Sequence, residues 1–285
     1  MIVKKINNIA RINLHLHTNV SDGALSPKQL LKRALEIKLD LVSITDHDTF
    51  DAYEMIDPAA YPFRILPGME ISSIHNHSDV HMLAYGYDKR NRELKEMTEM
   101  YLVGRRDRAV KMINVLNELG MKITLEEVVE VAGSRELIVR PHIAQILLKH
   151  GYVKSKNEAF DKYIGNDKPA YFHKPELLVP NVLKIIHNAG GFAVTAHPGK
   201  LAKPEYLADL IGMGIDGIEV WHPDHNQQQV QDFIKIAQAN KLFMTGGSDY
   251  HGELDNHNLF DVVPVNATVL QSVNEMYEAY LCRNR

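Results

Sequence analysis

Histidines and carboxylates in this chain fall where a metal centre would need them. His15 and His17 stand two apart in Ile12-Asn13-Leu14-His15-Leu16-His17, where apolar residues alternate with Asn13 and the two histidines. That is the period of a strand, so both imidazoles leave one face. Polar clusters close other apolar, strand-like runs: Thr45-Asp46-His47-Asp48, Gly68-Met69-Glu70, Val80-His81, Ala196-His197-Pro198-Gly199 and Gly247-Ser248-Asp249-Tyr250-His251-Gly252. Strand ends that each deliver a nitrogen or oxygen ligand suit a multi-metal site on an α/β scaffold. The candidate ligands are His15, His17, Asp22, His47, Glu70, His81, His197, Asp249 and His251. Imidazoles and carboxylates without a thiolate fit Mn²⁺, Fe²⁺ or Zn²⁺, with Mn²⁺ favoured, and do not fit Ca²⁺ or Cu(I). Such a set is too large for one ion, so two or three ions are expected, with water and substrate oxygens in the open positions. Three carboxylates against three divalent ions leave a surplus of about +3, which favours a phosphate-bearing substrate. The expected nucleophile is a metal-bound hydroxide.

The elements that must position these groups alternate. Ser26, Pro27 and Gln29 form a capping-box start for a helix whose apolar face is Leu30, Leu31, Ala34 and Leu35. Short strands are expected at Leu41 to Ile44, Phe63 to Leu66 and Val80 to Tyr85, with Glu70 just beyond the second. From about residue 92 to 165 the pattern is helical only. One helix ends at Gly120, Thr124 and Glu127 open a second ending near Gly133, Pro141 begins a third, and Ser155 and Glu158 open a fourth. Alternation resumes near Leu177, with strands at Phe192 to Thr195, Gly217 to Trp221 and Leu242 to Thr245. About seven strands with functional groups at their C-terminal ends predict a distorted, parallel, TIM-like βα barrel of the α/β class. The predicted division is a discontinuous barrel domain, residues 10–91 and 169–285, with a helical insertion at 92–168.

Composition sets limits on function. A chain of 285 residues can form one barrel with an insertion. The net charge of −4 argues against a general nucleic-acid surface and against a DNA duplex as partner. Cys282 is the single cysteine, so no disulfide within the chain and no cysteine-based site is expected. No apolar run approaches the roughly 20 residues of a membrane span. Met1 to Asn7 lacks the apolar stretch of a signal peptide, so a cytoplasmic enzyme without an obligate protein partner is expected.

The motifs resemble the PHP (polymerase and histidinol phosphatase) family of metal-dependent phosphoesterases. The resemblance runs from about Arg11 to His251 through His15-Leu16-His17-Thr18, Ser21-Asp22-Gly23, Thr45-Asp46-His47-Asp48-Thr49, Gly68-Met69-Glu70-Ile71-Ser72, Ala196-His197-Pro198-Gly199 and Gly247-Ser248-Asp249-Tyr250-His251-Gly252. It implies a trinuclear site. One ion would take His15, His17, Glu70 and Asp249. A second would share Glu70 and take His81 and His197. The third would take Asp22, His47 and His251. The helical insertion resembles the branch of 3′,5′-nucleotide bisphosphate phosphatases and 5′→3′ exoribonucleases, through the Arg105 to Arg108 stretch, Arg140-Pro141-His142, Tyr163-Ile164-Gly165 and Lys168-Pro169-Ala170-Tyr171. The implied reaction is hydrolysis of adenosine 3′,5′-bisphosphate to AMP, or trimming of short RNA.

Other residues have competing readings. Asp249 and His222 are candidate catalytic groups, and His222 should lie at the site mouth as a substrate contact or proton donor unless it serves packing. Glu219 is expected to buttress the site. Arg105, Arg140, Lys200 and His222 are candidate substrate contacts, with Arg140 favoured by its place before a helix N-terminus. The opposing reading of Arg105, Arg106 and Arg108 is a solvated helix face. His75 and His77 read as exposed turn residues, and His150, His187, His225 and His257 as surface. Trp221 reads as core. Alternative functions are a histidinol-phosphate phosphatase, an amidohydrolase-type barrel (which also opens with His-x-His but often uses a bridging lysine) and a catalytically dead module that partners a polymerase.

Overall fold

The computed structural model describes residues 9–132, 138–173, 177–252, 260 and 263–283. Strands β1 (Ile12–Asn13), β2 (Leu41–Val42) and β3 (Arg64–Ile65) form a short parallel sheet. A second sheet holds β4 (Gly68–His75), β5 (Ser78–Tyr85), β6 (Leu177–Leu178), β7 (Phe192–Thr195), β8 (Gly217–Trp221) and β9 (Phe243–Gly246), in the order β6-β4-β5-β7-β8-β9. No closed sheet occurs among the described residues. The sheets meet through single bridges, His47 to Glu70 and Leu16 to Tyr250.

The expected all-parallel order does not hold. β5 runs antiparallel to both β4 and β7. The cause is a two-residue hairpin at Asn76 and His77, both with positive φ, the backbone of a turn whose twist matches its strands. The placement of functional groups at strand C-termini changes with it, because Glu70 and His81 lie within β4 and β5. Ser72 pairs with His81 and Glu70 with Leu83, so Glu70 and His81 share one face of the hairpin.

Helix α1 (Pro27–Glu36) starts with the capping box at Ser26 and Gln29. Helices α2 (Arg92–Glu118), α3 (Leu125–Ala132), α4 (Arg140–Lys149) and α5 (Lys156–Ala159) follow, with no strand between them among the described residues. Thr124 and Glu127 exchange the expected capping bonds. The boundary near Gly133 and the position of His257 lie outside the described residues. Helices α6 (Val179–Asn188), α7 (Tyr206–Met213) and α8 (Gln227–Asn240) accompany the later strands, and α9 (Ala267–Arg283), which the sequence reading did not include, packs against β9.

Among the described residues two apolar clusters form. The larger contains the strands and the start of α2, including Leu94, Met97 and Tyr101. The smaller runs from Ala109 to Ala170 among the following helices. Arg105 lies between them on α2, where its guanidinium pairs with Asp48 and lies 3.1 Å from Ser72 Oγ, while the Tyr101 hydroxyl donates to Ser72 carbonyl. A buried ion pair and a buried phenol thus fasten α2 to β4. Among the described residues, no helix is long and apolar enough to cross a membrane.

Candidate metal centre

Backbone packing brings the proposed ligands together. Leu14 N donates to Gly246 O, Asp249 N to His15 O and His17 N to Tyr250 O, so the segment after β1 runs beside the segment after β9. Gly247 makes this approach possible, since a Cβ there would stand 2.0 Å from His15 Cβ. His15 and His17 are fully buried and point the same way, as their alternation predicts. His15 Nε2 and His17 Nε2 each lie 3.2 Å from Glu70 Oε2, and 3.3 and 3.2 Å from Asp249 Oδ1.

Glu70 stands at the centre. Its Oε2 faces His15, His17 and His47, the last at 3.2 Å from Nδ1. Its Oε1 lies 2.9 Å from both His81 Nδ1 and His197 Nε2. One carboxylate with each oxygen turned to a different set of imidazoles can bridge two cations. On the outer side, His251 Nε2 lies 3.3 Å from Asp22 Oδ1, His17 Nδ1 lies 3.7 Å from the same oxygen, and His47 Nε2 lies 3.9 Å from Oδ2.

Among the described residues, three groups have ligand atoms all within 4.8 Å: His15, His17, Glu70 and Asp249; His17, Asp22, His47 and His251; and His47, Glu70 and His81. The first matches the set implied by resemblance. The second is the implied third set with His17 added. In the last, His47 stands where resemblance puts His197, although His197 shares the Glu70 oxygen with His81.

Unpaired atoms test whether cations fit. His15 Nε2, both ring nitrogens of His17, His47 Nδ1 and Glu70 Oε2 are buried without a hydrogen-bond partner among the described residues. Buried polar atoms left so are costly, and these converge on one space. Charge points the same way. Burial would raise Asp22, yet His251 and His47 beside it hold it well below the usual carboxylate range. Burial likewise opposes ionisation of Glu70 and Asp249, but the surrounding histidines keep both well below it. His251 is pushed up to about 10: burial opposes its charge, but Asp22 outweighs burial. Three buried carboxylates held ionised, and aimed at nitrogens without partners, fit divalent cations.

Supporting residues fix the ligands. Glu219 Oε1 accepts from His15 Nδ1 at 2.9 Å and Oε2 accepts from His197 N at 2.7 Å, which gives the expected buttress a definite form. His251 Nδ1 donates to Asp249 carbonyl and leaves Nε2 for Asp22. His197, Asp48 and Asp249 all have positive φ, a conformation that costs a non-glycine residue of order 1–3 kcal/mol and collects at working sites.

Several expectations are corrected. His222 is fully buried, with Nε2 3.1 Å from Asp249 Oδ2, and does not stand at the mouth. Arg105 is not open to substrate phosphate, because Asp48 and Ser72 engage it. The solvated-face reading fails for Arg105 and Arg108, which are buried because they lie on the side of α2 that meets β4 and the following helices. His75 ends β4, where it is buried and bonded to Asp209 at 2.8 Å, while His77 is exposed as expected. His225 is buried too, bonded to Val220 O and Gly199 N. Trp221 is only partly buried at the edge of the larger cluster.

Sequence reasoning passed over Asp46, Asp48 and Tyr171. The signal for the first two was present, since both lie in the polar run that delivers His47. Asp46 accepts three hydrogen bonds from the Thr18–Ser21 turn. Tyr171 has two guanidiniums near its ring, Arg108 and Arg140, each 5.6 Å from its centre. Arg140 also donates to Asn166 Oδ1 and Ile164 O, and Lys200 bonds Asp224 and Asp249.

Comparison with known proteins agrees with this geometry. Residues 13–165 match the PHP domain family. A 3′,5′-nucleoside bisphosphate phosphatase from Chromobacterium violaceum is 31% identical over 252 residues, covering 85% of this chain and 88% of the relative. A 5′-3′ exoribonuclease from Haemophilus influenzae is 28% identical over 249 residues, covering 85% and 90%. The solved structure of a protein described as a metal-dependent phosphoesterase from Bifidobacterium adolescentis superposes with a TM-score of 0.85 at 30% identity, covering 96% of this chain and 98% of that one. This chain belongs to the PHP family and is a metal-dependent phosphoesterase.

Proposed function

We propose that the enzyme removes the 3′-phosphate of nucleoside 3′,5′-bisphosphates, converting adenosine 3′,5′-bisphosphate to AMP. One observation carries this choice. Arg108 and Arg140 both lie near the Tyr171 ring and form no ion pair with a carboxylate among the described residues. Burial, with the neighbouring Arg140 and Arg105 charges, lowers Arg108 to about 10, so a second anion there would be welcome. A bisphosphate has that second anion. The relative named as a 3′,5′-nucleoside bisphosphate phosphatase supports the same substrate, and the exoribonuclease relative supports short RNA as a second reading.

Three divalent ions, Mn²⁺ favoured, would be held as the resemblance implies. His15, His17, Glu70 and Asp249 would hold the first. Glu70, His81 and His197, with His47 close by, would hold the next, and Asp22, His47 and His251 the last. When bound, such ions supply a strong oxygen nucleophile at neutral pH and draw charge from the phosphoryl group. The protein's own groups do the positioning. Asp249 turns Oδ1 to His15 and His17, while His222 and Lys200 hold Oδ2. In this reading His222 acts through Asp249. Lys200 stands at the rim, where its ammonium can meet the phosphate under attack. Arg140 and Arg108 hold the other phosphate, and Arg105 fixes the helix that carries Arg108.

The same reading extends to the architecture. β1, β2, β4, β5, β7, β8 and β9 are taken as a distorted ring of strands joined at the two single bridges, with residues 10–91 and 169–285 as the barrel and 92–168 as an insertion that selects the nucleotide. A cytoplasmic enzyme without an obligate protein partner completes it.

The test is phosphate release from adenosine 3′,5′-bisphosphate by Mn²⁺-loaded enzyme, with AMP and histidinol phosphate as parallel substrates. Selective release that yields AMP is expected. No release from any of the three, with metal shown to be bound, overturns the substrate and turns attention to 5′-phosphorylated RNA oligomers.

A further inference from the structure

The Asp22 loop reaches the outer ligand group through a side chain that is not itself in any of the ligand groups. Asp46, buried directly before His47, accepts from Thr18 N and Ser21 Oγ through Oδ1 and from Thr18 Oγ1 through Oδ2, each at 2.7 Å. Its oxygens are therefore occupied by the Thr18–Ser21 turn, and it joins no ligand group among the described residues. The turn it grips lies between His17 and Asp22. The chain is closed there by Ser21 N and Gly23 N, both donating to Thr18 O. Asp46 thus ties the loop that carries Asp22 to the strand end that carries His47.

The Ser21 hydroxyl adds a second effect. Its oxygen lies 2.7 Å from Asp46 Oδ1 and 3.3 Å from Asp22 Oδ1. The hydroxyl has one proton, and the shorter contact holds it. Asp46 therefore keeps that proton off the Asp22 oxygen nearest His251 and His17. Without Asp46, Ser21 would turn its proton to Asp22 Oδ1, the loop would lose three short bonds, and the outer group would lose both its geometry and a free oxygen.

We propose that Asp46 is a positioning residue that decides whether the outer group of Asp22, His47 and His251 takes up its ion, and so whether the centre holds two ions or three. This rests on the three-ion reading given above. The inner group has fixings of its own: His15 is held by Glu219 and its O accepts from Asp249 N, and His17 N donates to Tyr250 O in the chain after β9.

The test is Mn²⁺ titration of the metal-free full chain, read by bound Mn²⁺ per chain and by the electron paramagnetic resonance spectrum, in the wild type and in Asp46→Ala and Thr18→Val. The wild type should take three ions. Asp46→Ala should keep two with little change and weaken the remaining one tenfold or more. Thr18→Val, which removes one of the three bonds, should weaken the same ion by a smaller factor. If Asp46→Ala does not fold, Thr18→Val decides alone. Three ions bound as tightly in both variants as in the wild type would overturn the proposal, and so would equal weakening of all three. A wild type that never takes more than two ions would overturn the three-ion reading itself, and the wild-type count alone separates that result from the others.

Discussion

The inner ligand group and the rim group draw on the same residue types but are held by different means. His15, His17, Glu70 and Asp249 are buried, and backbone bonds between neighbouring chain segments set the histidines and Asp249, while Glu70 sits in a strand. Asp22, His47 and His251 are partly exposed and lie outside the strands, Asp22 on a turn and His47 on a single bridge to Glu70, with side chains such as Asp46 and the Asp249 carbonyl helping to set them. An inner group fixed by the fold should bind its ion with little reorganisation. A rim group fixed by side chains can be tuned, or lost, without unfolding the chain. In the function proposed above, the same division separates strength from choice: the inner group supplies the charge for chemistry, and the arginines of the helical segment hold the second phosphate.

The largest break in this comparison should come at Asp249. Asp249→Ala removes an inner carboxylate, and kcat should fall by about 10³-fold, roughly 4 kcal/mol of barrier. Asp22→Ala at the rim should leave more turnover than that. Equal losses in steady-state kinetics would erase the distinction between the groups.

Next comes Glu219→Gln, which keeps the size of the side chain but weakens its hold on His15 and His197. Metal affinity at the inner group should fall about 10- to 100-fold, as measured by calorimetry. Arg140→Ala then tests the rim side. KM for adenosine 3′,5′-bisphosphate should rise about tenfold, about 1.4 kcal/mol, with kcat nearly unchanged. A fall in kcat without a change in KM would move Arg140 away from ground-state binding.

The smallest effect concerns His225, beside the turn that follows His197. Its ring accepts from Gly199 N and donates to Val220 O, so the neutral form is the satisfied one. Burial lowers it below the ordinary 6.5. A histidine lowered in the folded state contributes stability that is present above pH 6.5 and lost progressively as the pH falls from there through its lower folded value. Urea midpoints of the metal-free chain at pH 7.5 and 5.5 should therefore differ more in the wild type than in His225→Gln. Equal differences would show that His225 does not contribute.

Much of the site was legible because its ligands follow apolar runs. The alternation at Ile12 to His17 gave the shared direction of two imidazoles, and the capping residues Ser26, Thr124 and Ser155 gave the helix starts. What was not legible depended on distant pairing. Asn76-His77 lacks the glycine that usually marks a tight hairpin, so the length of β4 and the antiparallel sense of β5 stayed hidden, although the strand at Val80 to Tyr85 was expected. His222 and Arg105 each have a polar partner far away in sequence, Asp249 and Asp48, and no local pattern announces such a partner. Asp46 was visible as a polar residue at a strand end, but its work lies with Thr18 and Ser21 across the fold.

The most direct measurement is anomalous X-ray scattering from crystals of the Mn²⁺-loaded chain. The account predicts its strongest peak among His15, His17, Glu70 and Asp249, a second beside Glu70 and His81, and a weaker third among Asp22, His47 and His251. No peak between His15, His17, Glu70 and Asp249, in crystals that hold Mn²⁺ elsewhere, would contradict it.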